Sequence, residues 1–163
     1  MKRALYSFIC AVFVFAGVDS ALSQELSIAI SYLEGEKSKD SHSSEETFAI
    51  TGTNVFYSVK YTGHKGKNDV DMEKTCEFTE RDIKNIRKTI ETKSLGVTDS
   101  LFQESSKSKS FEIYTNIVIL ISMDFKGYKI RINGDTDEFK DSKLYENSVY
   151  FITMLRKMVK DCK

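Results

Sequence analysis

Over residues 26–32 the chain alternates, with Leu26, Ile28, Ile30 and Tyr32 on one side and Ser27, Ala29 and Ser31 on the other. That two-residue period belongs to a strand with one face buried. Residues 34–46 hold glycine, serine, lysine and acids without an apolar period, the pattern of a solvated loop. The runs 47–51 and 55–62 flank Gly52, Thr53 and Asn54, which predicts a hairpin. In its second strand Val55, Tyr57, Val59 and Tyr61 share a face, while Phe56, Ser58, Lys60 and Thr62 take the other. The sheet is thereby expected to be covered on one side and wet on the other. Residues 63–75, mixed in charge and containing Gly63 and Gly66, read as an exposed loop.

The period then lengthens. Thr79, followed three residues later by Asp82, predicts a helix start, with Phe78 and Ile83 forming an apolar staple across it. Ile83, Ile86 and Ile90 recur at helical spacing, and Gly96 is the expected stop. Glu80 with Lys84 and Arg87 with Glu91 are i,i+4 pairs, so this charged face reads as a solvated one. Residues 111–123 form the most apolar strand: Phe111, Ile113, Thr115, Ile117, Ile119, Ile121 and Met123 on one face, Val118 and Leu120 on the other. Apolar character on both sides predicts a central place in the sheet. A turn at 124–127 leads to 128–132, where Tyr128, Ile130 and Ile132 face inward. A last helix over 142–161 carries Tyr145, Val149, Ile152, Leu155 and Val159 as its stripe. The order is β-ββα-ββα. It predicts an α+β fold, an antiparallel sheet of about five strands with two helices packed on one face. Without alternating β and α elements, a Rossmann-like nucleotide binder is disfavoured.

The beginning of the chain bears on where this fold works. Lys2 and Arg3 precede an apolar run over 8–18, then Ala21, Leu22 and Ser23 stand before Gln24. This is the form of a secretory signal peptide over residues 1–23, leaving one domain over 24–163 in a secreted or periplasmic setting. An apolar run of about eleven residues is short of the ~20 that cross a bilayer, so no stable membrane insertion is expected after cleavage. Cys10 follows Ile9 inside that run, which does not match a lipoprotein cleavage site. With Lys2, Arg3 and Asp19 removed, 22 basic and 23 acidic side chains remain. That balance, with only short interrupted basic clusters such as Lys65 and Lys67, argues against a nucleic-acid partner.

Removing the leader also leaves two of the three cysteines, Cys76 and Cys162. An even pair in an exported chain predicts a disulfide. Other chemistry is sparse. The chain has no G-x-S-x-G elbow and neither phosphate-cradling glycine motif. Its two histidines, His42 and His64, both fall in polar stretches. Two acidic groups, Asp69, Asp71 and Glu73, and Asp135, Asp137 and Glu138, have oxygens suited to calcium. Neither follows the EF-hand pattern, and Asp135 and Asp137 read better as turn and helix-start residues. No catalytic, cofactor-binding or metal-binding residue is assigned.

Four segments carry a resemblance: Tyr57-Ser58-Val59-Lys60-Tyr61-Thr62-Gly63, the capped helix over 78–95, the apolar strand over 117–121, and Lys126-Gly127-Tyr128-Lys129-Ile130. Spanning roughly 46–160, the layout resembles small exported bacterial α+β domains of unknown function and, more loosely, secreted inhibitor-like α+β folds. The resemblance implies a sheet under helices and no catalytic residue. The expected function is a non-catalytic protein- or peptide-interaction module using the open sheet face, where Phe56 and Tyr114 would lie. Two alternatives stand beside it: a small hydrolase or lyase using His64 with a loop carboxylate such as Asp69, and a structural envelope component.

Overall fold

Ten elements follow one another along the chain: β1 (Ser27–Glu36), β2 (Ser43–Thr51), β3 (Asn54–Thr62), β4 (Val70–Glu77), α1 (Glu80–Thr92), β5 (Ser100–Glu104), β6 (Ile113–Met123), β7 (Lys126–Asp135), a 3-10 turn (Thr136–Phe139) and α2 (Lys143–Asp161). The computed structural model describes residues 26–36, 42–63, 69–104 and 113–162; the leader, His64 and Phe111 lie outside them.

The strands form one sheet in the order β4-β3-β2-β1-β6-β7-β5. Every neighbouring pair is antiparallel except β5 with β7, which is parallel. The expected antiparallel sheet of about five strands is therefore corrected to a mixed sheet of seven, within the expected α+β class. Two strands account for the difference. β4 occupies the segment read as a charged loop, and β5 is a five-residue edge strand with no strong alternation. The presumed loop over 34–46 also shrinks. β1 continues to Glu36 and β2 begins at Ser43, and the Glu36 N–H donates to the His42 carbonyl at 3.0 Å. β1 can carry these polar residues because it is hydrogen-bonded on both sides, to β2 and to β6.

Register places the apolar sets on one face. Ile28 lies opposite Ile50 and Ile121, Ile30 opposite Phe48 and Ile119, and Ile117 opposite Ile132. All are buried, in one core with Ile86 and Ile90 of α1 and Phe151, Ile152, Leu155 and Val159 of α2. Both helices therefore cover the same face of the sheet.

The helices cross the sheet rather than follow its strands. α2 begins where Ser142 hydrogen-bonds Gln103 of edge strand β5, passes Glu46 of β2 through Arg156, and ends where Lys74 of the opposite edge strand β4 meets its last turn. Nineteen residues give a helix of about 28 Å, and six inter-strand spacings give about 29 Å. The helix is as long as the sheet is wide. α1 returns the chain from β4 toward β5, antiparallel to α2, with Asn147 Nδ2 donating to the Lys93 carbonyl at 2.9 Å.

The start of α1 is a capping box. The Asp82 N–H donates to Thr79 Oγ1 at 3.2 Å, and the Thr79 N–H donates to Asp82 Oδ2 at 2.9 Å. Its stop differs from expectation. The left-handed residue is Ser94, at φ 55°, and not Gly96. The Leu95 N–H donates to the Ile90 carbonyl and the Ser94 N–H to the Glu91 carbonyl, a Schellman closure. Leu95 and Ile90 are both fully buried, so packing holds a serine where glycine is usual.

Candidate functional site

Three places on the described residues could carry function: a polar seam under α2, a cleft at its C-terminus, and the bare face of the sheet.

The seam is built by inner-face positions that alternate with the core. Glu46 shares the face of Phe48 and Ile50, and Arg156 follows Leu155 on the stripe of α2. Arg156 Nε donates to Glu46 Oε2 at 2.7 Å, and the Tyr57 hydroxyl donates to the same oxygen at 3.3 Å. Glu46 is only 7% exposed. The Arg156 guanidinium also stands 5.1 Å over the Tyr32 ring, and the Tyr32 hydroxyl donates to Glu34. Sequence reading missed this group, having placed Glu46 in a loop; its parity with Phe48 and Ile50 was the available signal.

Burial, then the charge and hydrogen bond of Glu46, push the Tyr57 phenol up to about 12. Burial, then the hydrogen bond to Glu34, raise Tyr32 as well. A phenol that must lose its proton only above its ordinary range is no base near neutrality. Glu46 is held by Arg156 and Tyr57, and Glu34 by Tyr32, so the seam acts as a fastener. Above pH 10 the unfolded chain releases these protons before the folded one does, so stability is full below pH 10 and falls as pH rises toward 12. Alkaline spectrophotometric titration should find tyrosines that ionise only on unfolding. Tyr32 and Tyr57 titrating near pH 10 in folded protein would contradict this.

At the end of α2, β4 supplies two inward residues. Lys74 Nζ donates to the Val159 and Cys162 carbonyls at 2.7 and 2.8 Å, a cation on the negative end of the helix. Two residues on, Cys76 lies at disulfide distance from Cys162, their Cα atoms 6.1 Å apart. Beside them is an open cleft lined by Glu77, Thr79, Asp82, Lys157, Met158, Asp161 and Cys162. Thr79 and Asp82 are engaged in the helix cap, and nothing there pairs a nucleophile with a base.

The remaining sequence candidates are dispersed. The Asp69 carboxylate accepts from the Gly63 N–H at 2.9 Å, while Asp71 and Glu73 lie on β4, opposite Lys60 and Ser58 in register. Asp135 caps the 3-10 turn by accepting from the Asp137 N–H, and Asp137 pairs with Lys140 at 2.6 Å. No group of three potential metal ligands comes together among the described residues. His42 sits beside Glu36 at 3.2 Å on the surface.

The outer face of the sheet, opposite the helices, is the largest uncovered feature. Along its middle run Ser27, Ala29 and Ser31 of β1, Thr47 and Ala49 of β2, and Ser58 of β3, all short side chains. Leu33, Val118 and Leu120 lie among them, with Phe56 38% and Phe102 60% exposed toward opposite sides. Tyr114 is half-buried on this face. Its ring lies over Gly35, where an added Cβ would come within 2.6 Å of its Cζ. The face thus carries short side chains at its centre and is apolar in part, with Asp71, Glu73 and Glu77 along β4, Lys129 and Arg131 along β7, and Glu45, Lys60 and Glu104 in the row through Leu33.

No known family model matches this chain, and no curated protein matches it.

Proposed function

We propose that this chain is an exported, non-catalytic interaction module that binds a protein or peptide on the outer face of its sheet. One observation carries the reading: seven strands present a wide face that no element among the described residues covers, while the Glu46–Arg156 pair and Lys74 on the inner side are engaged in holding the fold. A face whose centre is serine, alanine and threonine with scattered Leu, Val and Phe can be desolvated at low cost, as interface centres require. Export is supported by the charged and apolar leader and by two cysteines at disulfide distance. No helix among the described residues is long and apolar enough to cross a membrane.

The test is capture from native extract by wild-type protein and by Ala29→Arg, which sets a charge at the centre of the face. The reading expects wild type to retain specific partners that Ala29→Arg loses at unchanged thermal stability. Identical capture by both proteins would contradict it.

A further inference from the structure

The outer face is built to meet itself, and we infer that it docks a second copy of this chain about a two-fold axis parallel to β1; the inference rests on the face being a binding surface. β1 is the central strand, with β2, β3 and β4 on one side and β6, β7 and β5 on the other. Rotation about β1 lays β2 over the other copy's β6, β3 over its β7 and β4 over its β5. Each cross-sheet row then reads against its own reverse, as an isologous contact requires.

Two rows show the fit. Through Ser31 the order is Glu73, Ser58, Thr47, Ser31, Val118, Arg131, Phe102, one residue per strand. The acid at one end comes onto the Arg131 and Phe102 end of the other copy, twice by symmetry. Through Ala29 the order is Thr75, Phe56, Ala49, Ala29, Leu120, Lys129, Ser100. Reversed, it sets Phe56 beneath a lysine, Ala49 against Leu120 and Ala29 against Ala29. A small residue thus meets a large one, and the smallest meet on the axis where the sheets approach closest.

Charge selects this axis over the other in-plane choice. A two-fold perpendicular to the strands would set β4 on β4, with Asp71, Glu73 and Glu77 facing their own copies. Sheets packing face to face cross at about 30°, which slides rows past one another toward the edges. Lys129 and Arg131 occupy adjacent rows of β7, so a slide toward the Ala29 row keeps a basic partner within reach of Glu73, whereas the opposite slide brings it to Glu104. Asp71 comes near the other copy's Glu104 at two symmetry-related corners, and at each Lys60 lies beside Asp71 in register. A sheet about 29 Å wide covered over about 25 Å of strand gives roughly 700 Å² per copy, close to the ~800 Å² per partner of a standard stable interface.

Sedimentation equilibrium on protein expressed from the full sequence, up to about 100 μM, tests this with a charge-reversal cycle. Wild type is expected to show a concentration-dependent dimer. Glu73→Arg and Arg131→Glu, both at exposed positions, should each weaken it about tenfold or more. Mixing the two variants restores a dimer, because both symmetric contacts become complementary, and the double variant likewise recovers one. The proposal is overturned by a wild type that stays monomeric, by charge reversals that leave a dimer intact, or by a mixture no better than its components. A monomeric wild type that still captures a partner lost in Ala29→Arg would overturn the dimer alone. A dimer obeying the cycle, with capture unchanged by Ala29→Arg, would overturn only the hetero-partner reading.

Discussion

Reduction of the Cys76–Cys162 pair is expected to lower stability by about 2–4 kcal/mol, or roughly 10 °C in Tm, read as a thermal melt of the oxidised protein with and without reductant. The link spans 86 residues, for which loop entropy alone gives nearly 5 kcal/mol. The lower range reflects residual structure in the unfolded chain, which already restricts part of that freedom. Lys74 holds the last turn of α2 by two carbonyls, so the native geometry persists without the bond, while the unfolded chain gains the freedom that the bond removed. Cys76→Ala/Cys162→Ala should melt with the reduced protein. Equal melting in both redox states, with both thiols alkylated in folded protein, would contradict the assignment.

Arg156→Met is expected to cost about 3 kcal/mol, measured by urea unfolding. The loss comes less from the attraction between Arg156 and Glu46 than from stranding a buried carboxylate with only the Tyr57 hydroxyl for company. Arg156 keeps about 30% side-chain exposure, which places the cost at the lower end for a buried pair. The double variant Arg156→Met/Glu46→Leu should recover most of the loss, because an apolar pair neither strands a charge nor requires its desolvation. If the double variant is as unstable as the single one, the seam contributes more than charge burial explains.

Where a residue's role was set by its own solvent preference, the fold was legible in the sequence. The alternations through Ile28, Ile30, Phe48, Ile50, Val55, Tyr57 and Ile117 to Ile121 predicted inner faces that the structure places in one core. Both helices and the Thr79 cap were equally open to reading. β4 was hidden because its inner face carries Lys74, whose charge is satisfied by helix carbonyls 85 and 88 residues away in sequence. No local pattern encodes such a partner. The same holds for Glu46, which looked like loop until Arg156 was found 110 residues on. β5 was hidden for a different reason: it is short, at an edge, and held by backbone pairing to β7 rather than by a buried face of its own. Ser94 in the left-handed region belongs with these, since Leu95 and Ile90 fix it by packing.

The candidate site divides along the same line. The expectation that the leader is removed was enough to single out Cys76 and Cys162, which the structure places at disulfide distance, and alternation in β3 was enough to predict an outer sheet face with Phe56 on it. Which residues share that face across seven strands depends on register, and register on the two strands the sequence concealed. Tyr114 shows the difference: it is on the expected face, with its ring laid over Gly35 of the neighbouring strand.

Hydroxyl-radical footprinting tests the account most directly, because it reads side-chain access whatever the occupant. Phe56 and Phe102 should react freely in dilute purified protein and be protected in concentrated native extract, while exposed Phe125 at the tip of the β6–β7 hairpin reacts alike in both. Equal reactivity of the outer-face residues in the two samples would contradict the claim that this sheet face is where the protein does its binding.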